Sequence, residues 1–154
     1  MTGTENAAGI LRASEFGALI IDGKAAAASV IARVSSEAAD LISHGTKPGL
    51  AVVLVGNNPA SEVYVRSKSK AAETCGFYSV QHNLPATIAE FDLVTLVERL
   101  NADPAIHGIL VQLPLPEHID ATKVLETVSP AKDVDGFHPV NAGLLAIGDR
   151  RRAL

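Results

Sequence analysis

Apolar positions recur along this chain with two different periods, and the changes of period divide it into extended and helical segments. Leu50-Ala51-Val52-Val53-Leu54-Val55 is continuously apolar. It is bounded by Pro48-Gly49 and by Gly56-Asn57-Asn58-Pro59, the pattern of a strand buried on both faces in a parallel sheet. Phe77 to Leu84 alternates and is closed by Pro85, which reads as a second strand. Ile106 to Gln112 is mostly apolar and stops at Leu113-Pro114-Leu115-Pro116, a third. Ala18-Leu19-Ile20-Ile21 is a shorter extended piece ended by the turn signal Asp22-Gly23.

Between these runs the spacing is helical. Val30, Ile31, Val34, Ala38, Leu41 and Ile42 predict a helix from Lys24 to about His44, with Gly45 just past its end. A second helix follows the first strand, with Ser61 placed to cap it and Gly76 to close it. Thr87-Ile88-Ala89-Glu90 fits a capping box ahead of the stripe Leu93, Val94, Leu96, Val97, Leu100. Shorter helices are expected near 121–128 and 140–147. Strands separated by helices of this length imply right-handed crossovers and a three-layer α/β/α domain with a mainly parallel sheet. Residues 1–17 lack a clear period and read as a flexible or loosely docked leader. Residues 18–139 form the domain proper, and 140–154 read as a helix cut short at its exit.

Composition narrows the class of partner. Among 154 residues 47% are hydrophobic but only 4% aromatic, and Trp is absent, so the core is built from Ala, Val, Ile and Leu. A formal net charge of -4 without a long basic run argues against nucleic acid. The single cysteine, Cys75, can form no internal disulfide and no zinc site alone. No apolar run reaches membrane-spanning length, and Glu5 sits where a signal peptide would be basic, so a cytoplasmic protein is expected.

Several side chains could carry chemistry. Tyr64 and Lys68 are four residues apart, on one face of the helix leaving the first strand. Taken alone, the pair reads more readily as a packed ring and a snorkelling amine. Gln112 closes the third strand at the same carboxyl edge, and Asp133 and Asp135 lie in a loop punctuated by Pro130, Gly136 and Pro139. A glutamine can merely end a strand, and most such aspartates make Asx-turns. The combination is more informative than its members, because a parallel sheet delivers residues that follow different strands to one cleft. His107 and His138 have no neighbours at metal-ligand spacing, and Cys75 reads as a small buried hydrophobe.

These segments resemble a known family. Ile20-Ile21-Asp22-Gly23-Lys24, Pro48 to Gly56 with Pro59-Ala60-Ser61, Tyr64-Val65-Arg66-Ser67-Lys68, His107 to Pro116 and Lys132 to Pro139 are together similar to the N-terminal, folate-binding domain of the bifunctional methylenetetrahydrofolate dehydrogenase/methenyltetrahydrofolate cyclohydrolase (FolD) family, in the same order from about 18 to 148. The resemblance implies oxidation of 5,10-methylenetetrahydrofolate with NADP and hydrolysis of the methenyl product to 10-formyltetrahydrofolate, without a metal. It implies Lys68 as the catalytic lysine and Tyr64 as the residue that stacks on the aminobenzoyl ring and orients that lysine. Gln112 is then the amide bonded to Lys68, and Asp135 the carboxylate that anchors the pterin. Val111, Leu113 and Pro114 join the substrate-binding set. The chemistry suits these types. A carboxylate accepts two adjacent N–H donors of a pterin edge, and an amine in a partly apolar cleft can move protons near neutral pH.

The sequence also departs from the family. Relatives are considerably longer and form homodimers through a second, Rossmann-type domain, whereas these 154 residues contain no Gly-x-Gly with which to seat a pyrophosphate. Leu144 stands where relatives usually carry an arginine. Residues 18–139 are therefore expected to carry the folate site and at most the cyclohydrolase half, with 140–154 the truncated start of the interdomain helix. Two other readings share part of this pattern. Short-chain dehydrogenases share Tyr-x-x-x-Lys but need a glycine-rich phosphate loop that is missing here. A non-catalytic folate-binding or interaction module would retain ligand binding without turnover.

Overall fold

The computed structural model describes residues 10–13 and 18–149. The elements run β1 (Leu11–Ala13), β2 (Leu19–Ile21), α1 (Gly23–Ser43), β3 (Gly49–Val55), α2 (Pro59–Thr74), β4 (Tyr78–Leu84), α3 (Glu90–Ala102), β5 (Gly108–Val111), α4 (Ala121–Thr127), a 3-10 turn (Pro130–Lys132) and α5 (Pro139–Ala146). β3 lies between β4 and β5, and both pairings are parallel, with Leu50 beside Ser79 and Gly108. β1 and β2 form a separate antiparallel ribbon.

Alternation along β3 sorts the core into two layers. Ala51, Val53 and Val55 face Leu93, Leu96, Val97 and Leu100 of α3 and Val124 of α4. Val52 and Leu54 face Val65 of α2, together with Leu110 of β5. This is the expected three-layer α/β/α arrangement with a parallel sheet, helices covering both of its faces.

Local differences from the sequence reading have identifiable causes. Part of the expected leader is ordered as β1, whose partner is β2; residues 1–9 and 14–17 lie outside the described residues, as do 150–154 of the expected truncated end. α2 is capped by Asn58 rather than Ser61: the Asn58 carboxamide accepts from the N–H groups of Ala60 and Ser61, and Pro59 takes the first helical position. Ser61 is buried inside the first turn. The capping box at Thr87 does not form. Ala89 holds the cap position of α3, and the Glu90 carboxylate is turned instead toward α4, where it accepts from the Asp120 N–H at 2.8 Å and the Lys123 ammonium at 2.6 Å. α1 buries only Ala38 among its residues, and Val30, Ile31, Leu41 and Ile42 of its apolar stripe remain exposed.

Gly49 marks a point where two backbones approach too closely for a side chain. A Cβ there would overlap the Ala105 carbonyl oxygen, while Gly49 N–H donates to His107 Nδ1 at 3.0 Å and His107 N–H donates to Gly49 O at 2.8 Å. Gly49→Ala is therefore expected to cost about 1–3 kcal/mol and to lower Tm by roughly 5–10 °C, read by thermal unfolding. An unchanged Tm would show that the 105–107 segment moves aside freely.

Candidate active site

β3 runs on into α2 on one face of the sheet and β5 leads toward α4 on the other, so the chain changes sides between these two neighbouring strands. A crevice outside the carboxyl ends of such strands is where open α/β sheets take their ligands. Lys68 reaches it from the third turn of α2. Its ammonium donates to Gln112 Oε1 at 3.4 Å. Gln112 directly follows β5, anchored by its own N–H to Val53 O at 2.9 Å. Its Nε2 donates to the Leu113 carbonyl at 2.8 Å, which turns the amide oxygen toward the lysine. The next peptide bond, Leu113–Pro114, is cis.

Lys68 also lines a cavity of about 400 Å³ between α1, α2 and the sheet. Its walls are apolar, including Val30, Ile31 and Val34 of α1, Ala72 and Cys75 at the end of α2, and Leu50 and Leu110 of the sheet. Lys68 and Asp135 are the charged residues in that lining. Asp135 keeps much of its surface in water. Even so, partial burial raises its carboxyl pKa above the ordinary 3.8, and the nearby Asp133 charge adds to the rise, while Lys68 opposes it.

The loop that carries Asp135 is fixed from within. Asp133 is 7% exposed, and its carboxylate accepts from Phe137 N–H at 3.3 Å, His138 N–H at 2.9 Å and Asn141 Nδ2 at 3.0 Å. Asn141, buried in α5, donates from the same nitrogen to Pro130 O at 2.8 Å. Asp133 is bridged to Ile109 of β5, and Gly136 takes the left-handed conformation with φ +69°. Gly108 leaves room for Val134, whose Cγ1 lies 2.5 Å from where a Cβ would stand.

Of the residues expected from the sequence, Lys68, Gln112 and Asp135 meet at this crevice. Tyr64 lies one helical turn before Lys68 on the same face, is 65% exposed and does not line the cavity. Val111 is 3% exposed and packs in the α3 and α4 layer, on the opposite face of the sheet from Lys68, so any contact it made with a ligand would come from its backbone. Leu113 is half-buried and Pro114 exposed. Asp133 follows the bland expectation for a loop aspartate, holding turn N–H groups. His138 caps α5 by accepting from Val140 N–H at 3.1 Å, and His107 accepts from Gly49, so both histidines are occupied structurally. The sequence reading missed the α1 residues of the cavity wall, because their spacing reports only helix burial. It also missed Asn141, a polar residue at a core-facing helical position.

Known proteins resemble this chain in sequence and in fold. The family profile described as tetrahydrofolate dehydrogenase/cyclohydrolase, catalytic domain, matches residues 21–135. The bifunctional protein FolD of Chelativorans sp. (strain BNC1) is 58% identical over 135 residues, covering 88% of this chain and 45% of the relative. That of Brucella anthropi is 58% identical over 133 residues, 86% of this chain and 44% of its own. The chain thus spans a little under half the length of the curated relatives it matches. Among solved structures, the bifunctional FolD enzyme from Campylobacter jejuni superposes with TM-score 0.81 at 48% identity, covering 82% of this chain and 45% of that one. The Trypanosoma brucei methylenetetrahydrofolate dehydrogenase-cyclohydrolase, solved with NADP cofactor and inhibitor, gives TM-score 0.83 at 42% identity over 86% and 46%. With the match running through β3, α2, β5 and the Asp133 loop, the chain belongs to the tetrahydrofolate dehydrogenase/cyclohydrolase family, of which it carries the catalytic domain.

Proposed function

We propose that this chain binds one-carbon derivatives of tetrahydrofolate in the Lys68 crevice and hydrolyses the methenyl bridge of 5,10-methenyltetrahydrofolate to 10-formyltetrahydrofolate. The observation that carries the reading is the meeting of Lys68 with Gln112 beside a cavity whose other charged residue is Asp135. The Asp135 carboxylate accepts the adjacent N–H groups of the pterin, and Tyr64, one turn before Lys68, stacks on the aminobenzoyl ring. Val111 through its backbone, Leu113 and Pro114 complete the wall beside Gln112.

In this reading water adds to the cationic carbon between N5 and N10, and the Lys68 amine accepts one of its protons. Collapse of the adduct forms the formyl C=O and breaks the bond to N5, which takes its proton from the Lys68 ammonium. One proton is released overall. Gln112 holds the lysine through its amide oxygen in both protonation states and adds no competing charge. Such a transfer is worth about 10²–10⁴-fold in rate.

NADP belongs to the dehydrogenase reaction of the complete protein in this reading, and the described residues around Lys68 offer its pyrophosphate no free helix N-terminus. At the N-terminus of α2, Pro59 removes one N–H and the Asn58 side chain occupies two more, so nothing there cradles a pyrophosphate. No hydride step is assigned to them. Membership of the family carries the expectation of a cytoplasmic homodimer; no helix among the described residues is long and apolar enough to cross a membrane.

The raised pKa of Asp135 gives a test. The ligand needs the ionised carboxylate, so affinity is full above the folded-state pKa and falls as pH drops through it, at a higher pH than an ordinary carboxylate with pKa 3.8 would give. Calorimetric titration with a folate analogue across that range is expected to show the loss, and Asp135→Asn to flatten it. A wild-type profile with no such acid limb would remove Asp135 from the pterin site.

A further inference from the structure

The last turn of α3 lies on the face of the sheet away from Lys68, yet it holds the loop that presents Asp135. Asn101, in that turn, uses both ends of its carboxamide on the backbone leaving α4: Nδ2 donates to Thr127 O at 2.7 Å, and Oδ1 accepts from Ser129 N–H at 2.8 Å. Further along the loop, the half-buried Lys132 returns its ammonium to the same turn, donating to Asp103 O at 2.8 Å and to Leu100 O at 3.2 Å. Carbonyls at a helix C-terminus lack intrahelical partners and sit at the negative end of the dipole, so a lysine ammonium suits them. Asp103 also fixes the way into β5: its Oδ1 accepts from Ala105 N–H at 2.8 Å and its backbone O from Ile106 N–H at 3.2 Å. One helix end is thus joined both to the strand that delivers Gln112 and to the loop that delivers Asp135.

We propose that Lys132 and Asn101 are positioning residues for the pterin site, holding the loop to α3 so that Asp135 meets the pterin edge while Lys68 and Gln112 meet the one-carbon bridge. The inference rests on the folate reading, in which Asp135 is the pterin acceptor. Neither residue lines the Lys68 cavity, so each acts through the loop backbone and not on the ligand. Their contacts complement those of Asp133, whose carboxylate joins the loop to α5 rather than to α3. Without the Lys132 ammonium the loop gains positions in which Asp135 is off the pterin edge. Apparent affinity then falls with the fraction of chains that keep the productive position. Lys68 and Gln112 retain their own anchors, in α2 and on Val53 O, so the loss is one of binding and leaves the amine in place.

Calorimetric titration with 5-formyltetrahydrofolate, a stable analogue with the same pterin edge, tests this. Lys132→Met, which keeps the stem and removes the ammonium, is expected to raise Kd by about ten-fold. Lys132→Arg, which can still donate to the α3 carbonyls, is expected to stay within about three-fold of the unmodified chain. In an Asp135→Ala background Lys132→Met is expected to change Kd by less than about two-fold, because the residue through which it acts is gone. Asn101→Ala is expected to repeat the pattern through the other contact, should Lys132→Met fold poorly, and thermal unfolding fixes a temperature at which each variant is folded. A lower Tm with Kd unchanged in both variants overturns the proposal, since it makes the two residues caps and nothing more. So does an equal loss of affinity with and without Asp135, or a Lys132→Arg variant as weak as Lys132→Met. If Asp135→Ala by itself leaves Kd unchanged, the pterin assignment has failed and this proposal falls with it. A weakened Asp135→Ala beside an unaffected Lys132→Met removes the positioning role alone.

Discussion

A Lys68→Met variant is expected to bind folate analogues about as tightly as the unmodified chain while hydrolysing the methenyl bridge about 10²–10⁴-fold more slowly. Methionine keeps the length and apolar stem that lie along the cavity wall, so the substitution removes the amine and little else. Substrate contacts would rest on Asp135 and on the residues beside Gln112, which methionine leaves in place. The measurement is the loss of methenyltetrahydrofolate absorbance under saturating substrate, paired with a direct titration. If binding and turnover fall together, Lys68 is a binding residue and not the proton carrier. If the unmodified chain turns over no faster than buffer, the non-catalytic module becomes the better account, and the titration alone describes its function.

Asp135→Ala is expected to have the opposite signature: a Kd for folate analogues weakened by about 30-fold or more, with turnover at saturation much less affected. Removing one partner of a charge-assisted contact inside a bound complex typically costs about 2–5 kcal/mol, because the remaining N–H donors are left without an acceptor. Asp133 stays as an internal control. Its carboxylate is already taken by Phe137, His138 and Asn141, so it offers no substitute acceptor one residue pair away. Retention of tight binding in Asp135→Ala would place the pterin elsewhere in the crevice.

The parallel sheet was legible because strands buried on both faces leave continuous apolar runs, as Leu50 to Val55 do. The convergence of Lys68, Gln112 and Asp135 followed from the rule for parallel strand ends, and the resemblance to a family gave each a role. Other features were not legible for physical reasons. Asn58 and Ser61 are both good caps, and Pro59, suited to the first helical position, was the signal that favoured Asn58. Thr87 and Glu90 have the spacing of a capping box, but Lys123 and Asp120 compete for the same carboxylate from a distant part of the chain. The α1 stripe predicts burial, whereas the structure leaves four of its six positions exposed and only Ala38 buried. Periodicity states which side chains share a face and says nothing of how much lies against it.

The buried carboxylate of Asp133 has a mechanical corollary. By holding Asn141 and the amides of Phe137 and His138 at once, it welds the first turn of α5 to the loop that presents Asp135, and Asn141 extends the weld to Pro130. Loop and helix are thereby tied at several points, so a displacement of the first turn of α5 is passed to the loop on which the Asp135 carboxylate sits.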